Sequence, residues 1–171
     1  MKFLATIALC LIFESSYPTP GVKWQLGYID PKLGLSKSTA VQLLRESADV
    51  WNKEAKASVL SESPKGFKVN FFHTTTHEKL QGRIRRKKGE KVVRAICYSV
   101  GGNPVEIRVF GYKNKAGLRI TLAHEFGHAL GLPHSENKSS LMYKYPSVSQ
   151  GTRPILARVD KEALRKVLSR R

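Results

Sequence analysis

Three of the chain's five histidines, His124, His128 and His134, stand within eleven residues, and Glu125 directly follows the first. Imidazole is the commonest side-chain ligand for a divalent transition metal, and a carboxylate beside such a site can act as a base. On an α-helix a four-residue step places two side chains on one face a turn apart, so His124 and His128 can share one ion. Glu125 then projects in the neighbouring direction, close enough to take a proton from water there without being a ligand. His134 can join only if the helix stops first. Gly131 accepts the left-handed conformation that ends helices and Pro133 forbids continuation, so the spacing predicts a turn that aims His134 back at the ion. Three imidazoles with an open fourth position describe a catalytic zinc rather than a closed structural one. Such a zinc lowers the pKa of its water to about 7 and polarises a carbonyl, so the chemistry expected is amide hydrolysis with Glu125 as general base.

Positioning these groups needs a scaffold, and hydrophobic periodicity outlines one. Residues 22–29 alternate as a strand, with Trp24, Leu26 and Tyr28 expected on one face. From Ser36 to about Ala57, Val41, Leu44, Ala48 and Trp51 recur at three- and four-residue steps, which predicts an amphipathic helix capped by Ser36 or Ser38. Strands are expected over 67–72, 92–100 and 105–110, with a further short one in the charged stretch up to Arg86. The last of these alternates apolar and polar residues, which predicts one wet face. A loop over 111–117 leads to the histidine helix, expected from Leu118 to about Leu130, and a final helix runs from about Val159 to Ser169. Strands with one helix among them and two helices at the end predict a mixed α/β (α+β) sheet with helices packed on it.

The 171 residues suit a single domain. Lys2 followed by the apolar run 3–13 reads as a secretory signal over 1–20, leaving a domain over 21–171 that is secreted or periplasmic. Cys10 falls inside that signal, so Cys97 would remain alone, without a disulfide, as a small buried strand residue. The formal net charge of +17 draws the protein toward anionic surfaces, acidic polypeptides or nucleic acid. Its densest part, 83–94, holds seven cations and one carboxylate, and a solvated hairpin tip near Gly89 is the simplest reading.

His124-Glu125-x-x-His128-x-x-Gly131-x-x-His134, followed by Ser135 and by the stretch Ser139-Ser-Leu-Met-Tyr143, resembles the metzincin zinc endopeptidases of the matrixin-like branch. The resemblance implies His124, His128 and His134 as zinc ligands, Glu125 as general base, Gly131 as the hinge and Met142 as the support beneath the metal. It implies a zincin-like fold of five twisted, mostly parallel strands with three helices. It also implies a substrate laid along an antiparallel edge strand within about Val92 to Tyr98, with Val93 and Ala95 touching it and Tyr143 and Tyr145 in the pocket wall. Asn137, Lys138 and the late Pro146 depart from the branch's pattern around that pocket. Lys144, not a tyrosine, stands two residues after Met142, so no fifth ligand is expected. With only Asp30, Asp49 and Asp160, calcium and a second zinc are not expected, and His73 and His77 read as a polar loop. No cysteine-bearing propeptide motif precedes the domain, so latency by a thiol on the zinc is not expected. The expected partners are polypeptides, acidic ones favoured by the 83–94 cluster, and an anionic envelope surface. A monomer is expected, and nucleic acid is not. Two other readings fit the same residues: a basic envelope- or nucleic-acid-binding module with a vestigial zinc site, and a zinc amidase acting on cell-wall peptides. Glu125 argues against the first, because a site kept for stability has no use for a base.

Overall fold

The computed structural model describes residues 21–73, 95–112, 114–144 and 154–170. The 1–20 signal, residues 74–94 with the basic cluster and Val93, and residues 145–153 with Tyr145 and Pro146 lie outside them. Strand β1 (Val22–Ile29) is followed by a short 3-10 turn (Pro31–Leu33) and helix α1 (Lys37–Ala55). Then come β2 (Leu60–Glu62), β3 (Phe67–Phe72), β4 (Ala95–Val100), β5 (Asn103–Phe110), α2 (Lys115–Ala129) and α3 (Arg158–Leu168). The sheet has the order β2-β1-β3-β5-β4. All pairings are parallel except that of β4 with β5, so the one antiparallel strand lies at an edge.

The helices form where the residues demand. Ser36 caps α1 by accepting the Thr39 N–H, and Lys56, in the left-handed conformation at φ 51°, ends it. Its buried stripe, Ala40, Leu43, Leu44, Ser47, Ala48 and Trp51, packs on α2. Two bonds fasten that contact: Trp51 Nε1–H donates to Ala123 O at 2.8 Å, and Ser47 Oγ–H to Arg119 O at 3.1 Å. Glu54 on α1 pairs with Lys161 and Arg165 of α3. The sheet contributes Trp24, Val69, Phe71, Ile107 and Val109 to the same core, where Phe126 of α2 lies 5.8 Å from Trp24, ring to ring. The other sheet face is polar at β5, as its alternation predicts: Asn70 Nδ2 donates to Glu106, which pairs with Arg108.

Three expectations are corrected. Tyr28 does not follow Trp24 and Leu26 inward, because a register shift between Leu26 and Ile29 turns it against Phe72, where it is 50% exposed. Helix α2 starts at Lys115, three residues before the apolar pattern does, because Asn114 caps it by accepting the Gly117 N–H. The three-residue β2, too short to show a period, was not anticipated.

Candidate metal centre

The run 124–134 folds as its spacing requires. His124 and His128 project from the last turns of α2, with ring centroids 4.7 Å apart. The helix closes in a Schellman turn: the N–H of Gly131, at φ 93°, donates to His128 O, and the N–H of Leu132 donates to Gly127 O. Gly131 thereby acts as the hinge, and Pro133 leads the chain back. The His134 ring arrives 4.6 Å from His128 and 5.4 Å from His124.

The ring nitrogens are sorted by their partners. His124 Nδ1 lies 2.7 Å from Leu141 O, and His128 Nδ1 lies 2.8 Å from Leu132 O. A carbonyl only accepts, so each Nδ1 carries the proton and each Nε2 presents a lone pair. One ligand atom from each of the three rings falls within 4.8 Å of the others. His128 Nε2 and His134 Nε2 are 3.1 Å apart. A tetrahedral zinc with Zn–N bonds of 2.0–2.1 Å separates its donors by about 3.3 Å, so this donor set fits that ion. Burial also favours neutral, ligating imidazoles: it pushes His124 down to about 4 and lowers His128, and the flanking carbonyls only partly oppose this.

Glu125 is buried beside them at 5% exposure, and burial raises its carboxyl to about 7, partly opposed by the nearby backbone N–H of Cys97. Strand β4 thus runs close to the base. The Cys97 thiol is half-buried, rather than fully buried as expected, and desolvation followed by the Glu125 charge pushes it up to about 11. Ala95 lies on the same edge strand.

Met142 is buried, with its Sδ against Gly127 of α2 and close to Trp51. Tyr143 forms a bridge with Ser135, and the Ser135 N–H donates to Met142 O, which returns the chain alongside the last histidine. The loop is fastened by a group that the sequence reading passed over. Asp160 in the first turn of α3, 1% exposed, accepts from Ser140 Oγ, from the N–H groups of Leu141 and Ala157 at 2.8 Å, and from Met142 N–H at 3.3 Å. Leu141 then uses its carbonyl to hold His124. A lone acidic residue at the third position of a helix is a weak signal, because its usual role is at the helix terminus. Two grooves along α1, which share Lys37, Val41 and Glu62, contain none of these residues, and donor chemistry locates the site.

A five-stranded mixed sheet under a helix whose two histidines converge with a third from the turn beyond it is the architecture of a zincin-like metal hydrolase. The model of the matrixin family, peptidase M10, matches residues 23–168, and the chain belongs to that family. A protein named as a matrix metalloproteinase from Trichoplusia ni ascovirus 2c is 56% identical over 34 residues, 20% of this chain. That match spans 7% of the viral protein's length. Matrixins are zinc-binding metalloprotease hydrolases and generally extracellular, and the three-histidine group is present here.

Proposed function

We propose that this chain is a zinc-dependent endopeptidase that hydrolyses internal peptide bonds of proteins, with His124, His128 and His134 holding one zinc and Glu125 serving as general base. The observation that carries the reading is the buried Glu125 carboxylate beside three convergent imidazoles, two of which, His124 and His128, commit their Nδ1 protons to carbonyls. Zinc, when bound, supplies Lewis acidity toward water and a substrate carbonyl. The chain's own residues do the rest. Glu125 accepts a proton from the attacking water and passes it to the leaving amine, and burial in the metal-free chain already raises its carboxyl to about 7, which favours its taking up a proton. Leu141 and Leu132 fix the rings of His124 and His128. Met142 and Gly131 support the floor and the turn.

The substrate binds as an extended strand along β4, the antiparallel edge of the sheet, where Ala95 offers main-chain pairing and Tyr143 borders the pocket. Pairing through the main chain makes little demand on sequence, which favours unfolded or extended polypeptide. The amidase reading shares this chemistry and differs in substrate alone, and the open strand edge favours polypeptide. Residues 1–20 act as a signal for export, and the protein works as a monomer.

The test is cleavage of a reduced, unfolded protein by the purified chain. Cleavage that stops with a chelator and in Glu125→Ala supports the reading. Equal loss of substrate in all three samples overturns it.

A further inference from the structure

Helix α3 has two faces. The inner one places Asp160, Leu164 and Val167 against the loop and core behind the metal centre. The outer one carries Arg158, Lys161, Arg165 and Lys166, with Arg170 just beyond the helix end. These cations span about 18 Å along the axis, and the four within the helix spread over an arc of about 140° at 100° per residue. Two carboxylates offset them: Glu162 pairs with Arg158 at 2.7 Å, and Glu54 with both Lys161 and Arg165 at 3.1 Å. Five cations less two carboxylates leave three positive charges. The Arg158 side chain is 91% exposed and that of Arg165 70%, so these pairs exchange readily with a competing anion.

An independent feature stands at the same end of the helix. Ile155, 63% exposed, lies three residues before Arg158, within about 11 Å along the chain. A linear polyanion needs a ridge of charge and gains nothing from an aliphatic side chain. A broad cationic arc next to an exposed isoleucine suits a plane that offers phosphate and hydrocarbon together.

We propose that the outer face of α3, together with Ile155, docks the protein onto an anionic lipid surface. No helix among the described residues is long and apolar enough to cross a membrane, so the attachment is peripheral and sensitive to salt. Asp160 and Leu164 stay in the interior, and docking leaves the supports of the metal centre in place. The proposal does not rest on proteolytic activity.

Co-sedimentation of the full chain with phosphatidylcholine vesicles containing phosphatidylserine, at low and at high salt, tests it. Each cation removed lowers partitioning by up to about fivefold, so Arg158→Gln/Arg165→Gln/Lys166→Gln/Arg170→Gln should lose at least about tenfold at low salt. Ile155→Ser should lose several-fold at both salt concentrations, and both variants should keep the wild-type melting temperature. The reference is Arg85→Gln/Arg86→Gln/Lys87→Gln/Lys88→Gln, which removes the same charge elsewhere. An equal loss in the reference, an unchanged Ile155→Ser, or binding to dextran sulfate without binding to vesicles would each overturn the proposal.

Discussion

Asp160 touches no metal ligand, yet its removal should unsettle the centre, and the pattern of its partners fixes how much. One carboxylate oxygen accepts from Ser140 Oγ and Met142 N–H, the other from Leu141 and Ala157 N–H. In Asp160→Ala the buried Leu141 amide and the part-buried Ala157 amide lose their acceptor, at about 1–3 kcal/mol each, for a total of about 2–6 kcal/mol. Asp160→Asn is different, because an amide can keep its oxygen toward Leu141 and Ala157 and turn its NH2 toward Ser140 Oγ, which can accept. Met142 N–H retains Ser140 Oγ at 2.9 Å. That variant loses charge assistance alone, about 1–2 kcal/mol. Leu141 O orients His124, so the alanine variant should also bind zinc about 10–100-fold more weakly, whereas the asparagine variant stays closer to wild type. Urea unfolding of the metal-free proteins and competitive zinc titration measure the two effects. Equal destabilisation by Asn and Ala would refute the hydrogen-bond count, and a near-neutral Asp160→Ala would refute the role of the residue.

Other predictions follow from single contacts. Gly127→Ala would press its Cβ into Met142 Sδ and to 2.8 Å from Trp51 Cζ2, so overpacking should outweigh the gain of about 1 kcal/mol in helix propensity and lower the melting temperature; a stabilised variant contradicts this. In the metal-free chain Glu125, raised from 4.5 to about 7, keeps its proton longer when folded than when unfolded, so stability is lost as pH climbs through that window, by up to about 3 kcal/mol. His124, lowered from 6.5 to about 4, acts in the opposite sense, because there the unfolded state binds the extra proton and stability rises with pH. Glu125→Gln should therefore gain stability more steeply than wild type between about pH 4.5 and 6.5 and exceed it at pH 8, and superimposable urea profiles would contradict the Glu125 shift. Neutralising Arg85, Arg86, Lys87 and Lys88 should slow cleavage of acidic polypeptides at low salt and not at high salt; rates unchanged at low salt would remove the cluster from substrate selection.

The metal centre was legible in the sequence because helical geometry, a glycine that must turn and a proline that forbids continuation all constrain the same eleven residues. Strands β1 and β3 and helix α1 were legible for a related reason: each buries one face over enough residues to show a period. What the sequence hid depends on contacts between distant segments. Nothing local tells that Asp160 serves the loop at 140–142, that Cys97 lies near Glu125, or that Gly127 is small because Met142 lies against it. Tyr28 was misplaced because a single register shift reverses which side of the sheet a residue faces.

Metal content tests the central claim most directly. Wild-type protein dialysed against zinc at neutral pH should retain one zinc per chain by elemental analysis. His128→Ala should retain essentially none, while Glu125→Ala keeps the full complement and loses hydrolysis. A folded wild-type chain without zinc, or full zinc occupancy in His128→Ala, would contradict the account.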